Sequence, residues 1–250
     1  MALYKSRNPA LDKDIFKEFK KEETQKEPMT IGGTVNKTII LLAIVITSAY
    51  FSWHLLLRAL TFENFKTTLI ISAGWAFLVG LYIVLDKKKA PLLSPIYSIF
   101  EGVALGGVSV VTEQLFPGIA IQAISLTFSI LVCILIIYKL KLIKPDKNFT
   151  LIVSSLTSGI ALYYFAAIAF RYSGILVPLI HENTVGGIIF SVFVVILASL
   201  NLVIDFDFIE KGADLSIPKY MEWYCAFGLM VTIIWLYLEV LNLLIKLKKR

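Results

Sequence analysis

The chain has 250 residues, 58% of them hydrophobic and 17% charged, with a mean hydropathy of +0.79. Soluble domains average roughly 45–50% apolar residues, so this composition points to a polytopic membrane protein instead. Cys133 and Cys225 both lie in apolar runs and the two histidines are far apart, which argues against a disulfide framework or a metal-ligand cluster. The net charge of +6 is a topology signal: the basic residues flank apolar runs and form no stripe interleaved with stacking aromatics, so no nucleic-acid partner is expected.

In chain order, residues 1–35 come first, as a polar tail. The stretch DKDIFKEFKKEETQKEP is charged and poor in apolar residues, a composition that favours disorder. Ile15, Phe16 and Phe19 would give a small apolar face were it a surface helix, and the tail lacks the apolar stretch of a cleavable signal. Residues 36–250 form the membrane domain. A hydrocarbon core about 30 Å thick takes about 20 helical residues, and seven segments qualify: 38–57, 67–85, 92–112, 118–138, 149–170, 185–205 and 223–245. Pro91, Pro117–Gly118, Pro145, Pro178 and Pro218 punctuate the loops. The expected fold class is therefore an all-α integral membrane bundle of seven transmembrane helices.

Polar residues inside these spans are the candidates for function, because an ionisable group at mid-bilayer costs several kcal/mol unless paired or watered. On the third span Ser94, Tyr97, Ser98, Glu101 and Thr112 share one face at 100° per residue, with Ser109 at its edge. Gly102 and Gly106 beside it form a small-xxx-small pair suited to close helix approach. The sixth span ends in VIDFDFIE. Asp205 shares a face with Asn201 and is the expected inward acid, whereas Asp207, Glu210 and Asp214 suit the water boundary. On the seventh span Thr232, Trp235, Glu239, Asn242 and Lys246 share a face. Glu239 lies within about 8 Å of that segment's centre, Trp235 fits a packing aromatic, and Lys246 is expected to snorkel. Such a stripe would have to be wrapped by other helices, which places the last helix at the centre. His54 is expected at an interface, and His181 beside Glu182 in an outer loop. No nucleophile, metal or cofactor constellation suggests an enzyme, and no cofactor is expected.

Several motifs resemble the transmembrane Bax-inhibitor-motif family. WLYLEVLNLL is similar to its last span, with Leu236, Tyr237, Leu238, Glu239, Asn242 and Leu243 on the pattern. DFDFI resembles its Asp-Thr-Gln-x-Ile, which selects Asp205 and Ile209, and IFEG resembles its span with an inward Glu, matching Glu101 and Gly102. MTIGGTVNKT and PKYMEWY are similar to the bacterial YccA-like branch. The resemblance runs from about residue 36 onward. It implies a seven-helix bundle around the last helix, a bacterial inner-membrane location, and a pH-sensitive calcium leak. In that picture Asp205 and Glu239 are a gating pair that shares a proton, Glu101, Asn242 and Asn201 line the ion path, and Asp205, Glu239 and Glu101 are calcium contacts. Glu239 stands where the family has Asp, and the loop between the last two spans looks longer than in compact members. Two carboxylates in one low-dielectric seam cannot both ionise cheaply, and their oxygens suit a hard cation such as calcium. Two alternatives stay open. One is a regulatory protein that binds and restrains a membrane partner, such as a quality-control protease. The other is a proton-coupled carrier. Besides calcium and any such protein, the partner is membrane lipid.

Orientation follows from the basic residues. Seventeen lie in the tail and in the loops on its side of the membrane, against Arg58, Lys66 and Arg171 opposite. By the positive-inside rule the N-terminus is cytoplasmic. Lys246, Lys248, Lys249 and Arg250 misfit unless the last span is re-entrant. Single cysteines introduced at Lys88 and Lys144 should resist impermeant thiol reagents applied to intact cells and react after permeabilisation. Labelling of either from outside would reverse the topology.

Overall fold

The computed structural model describes residues 27–59, 62–143, 145–172 and 184–249. The tail segment with Ile15, Phe16 and Phe19, the loop with Pro178, His181 and Glu182, and the terminal Arg250 lie outside them. Among the described residues there are seven long helices: α1 Ile31–Ala59, α2 Phe62–Leu85, α3 Ala90–Leu115, α4 Ile119–Lys139, α5 Lys147–Tyr172, α6 Val185–Asp214 and α7 Met221–Lys248. Each is long and apolar enough to cross a membrane. Large side chains such as Ile70, Phe77, Leu162, Phe165 and Ile189 are more than half exposed. In water such a belt would be a liability; in a bilayer it faces acyl chains.

The breakers act where the sequence places them. Pro91 opens α3, where its missing N–H costs nothing. Gly118, at φ 82°, turns the chain between α3 and α4. Glu113 accepts hydrogen bonds from the Gly118 and Ala120 amides, which lack partners within α4. Asp146 caps α5 through the Phe149 amide at 2.8 Å, and Thr184 caps α6 through that of Gly187.

α3 packs along α1 through Gly102 and Gly106. A Cβ at Gly102 would lie 2.5 Å from the Val45 carbonyl oxygen, and one at Gly106 would lie 2.4 Å from that of Ala49. The small-xxx-small pair thus does what the sequence suggests. α7 is the central helix, in contact with α1, α3, α4 and α6. It divides the apolar interior in two. Leu229, Ile233 and Leu236 pack with Ile119 and Ala123 of α4 and Ala198 and Leu202 of α6. Ala226, Met230 and Ile234 pack with Leu41 and Val45 of α1, Ala76 of α2 and Leu105 of α3. At 28 unbroken residues, about 42 Å, α7 has the length of a full crossing and no break for a re-entrant turn.

Two boundaries differ most from the sequence-based expectation. α1 begins at Ile31 rather than after residue 35, because Thr30 caps it: the Thr30 hydroxyl accepts from the Gly33 amide at 2.9 Å. α6 does not stop at Asp205 but runs to Asp214, so the supposedly long loop before α7 is only residues 215–220. The extra length is helix, and this sets the register between α6 and α7.

Candidate functional site

The buried acids fall into separate places along α7. Glu239 is 5% exposed. Its Oε1 accepts from the Tyr164 hydroxyl of α5 at 2.8 Å and from the Trp235 Nε1–H one turn back at 3.1 Å, while Oε2 is buried without a hydrogen-bond partner. Trp235 is thus more than a packing aromatic: its indole holds the acid. Lys246 adds its charge to the Glu239 environment. It does not snorkel. The side chain is 2% exposed, and Nζ donates to the Gly187 carbonyl near the start of α6 at 3.0 Å.

Asp205 lies elsewhere. Its carboxyl faces the Thr232 hydroxyl of α7, which itself donates to the Gly228 carbonyl at 3.2 Å, and its Oδ2 is buried without a partner. Thr232 precedes Glu239 by seven residues, two helical turns or about 10 Å along α7. The two acids expected to share a proton have no partner in common, and the direct hydrogen bond between them is not formed. The cause is register. A six-residue turn reverses the chain after Asp214, so antiparallel packing brings the first half of α7 to Asp205 and leaves Glu239 beside the middle of α6.

Asn201 and Asn242 lie one turn from Asp205 and Glu239 on the same helices, whereas Glu101 is on α3. Glu101 on α3 is half-buried and interacts with Tyr97 one turn earlier, whose ring packs edge-on against Phe227 at 4.9 Å. Asn201 is occupied, donating to the Thr157 hydroxyl at 2.7 Å and to the Leu197 carbonyl at 2.9 Å. Asn242 is half-buried on α7. Among the described residues no three acids, histidines or cysteines converge as metal ligands, so Asp205, Glu239 and Glu101 do not form one calcium cage. Asp207 pairs with Lys211, and Glu210 accepts from Tyr138, as boundary acids would.

Sequence reasoning missed the best-satisfied acid among the described residues. Glu222, in the first turn of α7, is 1% exposed. Its Oε1 accepts from the Thr30 amide at 2.9 Å and hydroxyl at 3.0 Å, and its Oε2 pairs with Lys37. A Cβ at Gly33 would lie 2.1 Å from the Glu222 carboxylate, so a larger residue there would push that carboxylate off its partners. Beside this site, residues 27–29 pair with the α6–α7 turn. The Met29 amide donates to the Ile217 carbonyl at 2.8 Å, that of Lys219 donates to the Glu27 carbonyl at 3.1 Å, and the Met29 side chain is buried. Outside the spans, Lys219 pairs with Glu27 and holds its carboxyl below the usual range. MTIGG and PKYMEW are thus two halves of one clasp. The signal was an acid at the head of a span matched by Thr, Gly and Lys at the head of another.

The clasp makes a sharp distinction between adjacent glycines. Gly33→Ala should lower stability by about 1–3 kcal/mol through overpacking. Gly32→Ala, where a Cβ meets nothing within 4 Å, should leave it unchanged or raise it by up to about 1 kcal/mol. Thermal unfolding in detergent would measure both, and equal effects would contradict the clasp.

A seven-helix bundle built around an acid-bearing last helix is what the sequence motifs imply. No curated protein and no solved structure matches the chain. The family model described as Bax inhibitor 1 like matches residues 8–249, nearly the whole length. The chain is a multi-pass membrane protein that belongs to the Bax inhibitor 1-like family.

Proposed function

We propose that the protein is a pH-sensitive leak pathway for calcium, in which Glu239 and Asp205 are successive stations along α7. The observation that carries this reading is that each acid leaves one carboxylate oxygen buried and unpartnered. A protonated acid is tolerated there. An ionised one demands water or a cation, because an uncompensated charge in low dielectric costs several kcal/mol. Oxygen ligands favour a hard cation, and two separate stations let an ion enter and leave without one deep trap. Glu101, on the α3 side of α7, is a separate oxygen ligand in this scheme. The shared-proton gate becomes two gates, each titrating with its own surroundings.

The test is calcium flux in liposomes from about pH 5 to pH 8. Asp205→Asn and Glu239→Gln should each move the flux–pH curve. Their effects on log flux should add in the double variant to within about twofold, as for sites without shared partners. Glu101→Gln should weaken calcium dependence and leave the curve's midpoint in place. If either single variant had the full effect of the double, the two acids would act as one pair. Saturable, proton-coupled uptake would point to a carrier. The absence of flux at every pH would favour a regulatory protein.

A further inference from the structure

α5 is the least enclosed helix of the bundle. Only 6% of its apolar stretch is buried, against 22–50% for the other six. Among the described residues its extended contact is with α6, along a narrow stripe that includes Val153, Thr157 and Ala167. Two hydrogen bonds reinforce that stripe. Thr157 accepts from Asn201 of α6 at 2.7 Å, and Tyr164, seven residues on and therefore on the same face, donates to Glu239 of α7 at 2.8 Å.

The Tyr164 bond joins the least enclosed helix to the acid of the most central one. Glu239 does not depend on it for orientation. Trp235, four residues earlier on α7, holds the same oxygen and moves with the acid. If α5 swung away, Tyr164 would leave, Trp235 would keep the carboxylate aimed, and the unpartnered Oε2 would meet whatever filled the gap. A helix attached on one side, by a thin apolar stripe with the Thr157 and Tyr164 bonds and the Tyr163–Phe190 ring contact, opens at lower cost than one interdigitated on several sides.

We propose that α5 is the moving leaf that covers Glu239, and that the Tyr164 hydroxyl is its latch. The consequence for ion flow rests on Glu239 being a station; the motion of the leaf does not. The experiment therefore reads the two separately.

In protein lacking both native thiols, a reporter A167C is placed on the covered face of α5, where Ala167 is 9% exposed. A reference A226C is placed on α7, where Ala226 is 0% exposed. Labelling by a small water-soluble methanethiosulfonate is followed in calcium-free proteoliposomes. Tyr164→Phe should raise the rate at position 167 by about tenfold, the shift in a two-state opening when one hydrogen bond to a carboxylate is lost. The rate at 226 should stay within about twofold, the additivity expected of an independent site. Thr157→Val, which removes the second tether, should raise the rate at 167 as well. Trp235→Phe should not, because the indole does not bond α5. An unchanged rate at 167 in both tether variants would overturn the leaf, as would an equal rise at 226. Raised labelling with no calcium flux in any variant would sink the station reading and leave the leaf standing. Intact flux with flat labelling would sink the leaf alone.

Discussion

The structure depends on keeping the acids of α7 away from lipid. A carboxylate facing acyl chains would cost several kcal/mol, and α7 carries Glu222 and Glu239 while Asp205 leans on it from α6. The helix must therefore be wrapped, and the bundle is arranged to do so. α1 and α3 pack on one side with glycines that permit close approach, and α4 and α6 on the other. The apolar surface left over faces outward, where a bilayer accepts it. Charge placement, more than helix propensity, makes the last element of the chain the first element of the architecture.

The second constraint is register. Helices joined by a six-residue turn have little freedom to slide, and the clasp at residues 27–37 reduces it further. Met29 is buried beside Gly212 and Ile217, and Glu222 ties the start of α7 to the start of α1. With that end fixed, positions along the α6–α7 seam follow from the helical rise alone. Asp205 meets the middle of α7, and Glu239 meets Tyr164 of α5. Each acid thus has surroundings of its own, which is why the chemistry proposed here uses two stations rather than one shared proton.

Much of this was legible in the residues. The seven spans, the glycine pair at 102 and 106, the polar stripe of α3 and the inward face of Glu239 all follow from hydropathy and a 100° projection. The resemblance to the Bax-inhibitor-motif family agrees with them. What failed was pairing across helices. A projection shows which face a residue occupies but not how far along its neighbour it lands, and the helical continuation of α6 past DFDFIE to Asp214 is hidden because its charges look like a water boundary. The bonds of Trp235 and Tyr164 to Glu239 are hidden because aromatics in spans usually pack or anchor at interfaces. Glu222 is not legible because its partners, from Lys37 at 185 residues to Thr30 at 192, are far away in sequence, a separation that no local pattern bridges.

Asp205 and Glu239 occupy separate places because α6 and α7 are held in one register. Cysteine cross-linking in the membrane tests it directly, since a disulfide forms only when Cα atoms come within about 7 Å. In a background without native thiols, D205C with T232C should cross-link readily under mild oxidation, and D205C with E239C should not. Efficient cross-linking of the 205–239 pair with none at 205–232 would contradict the account and restore the direct pair.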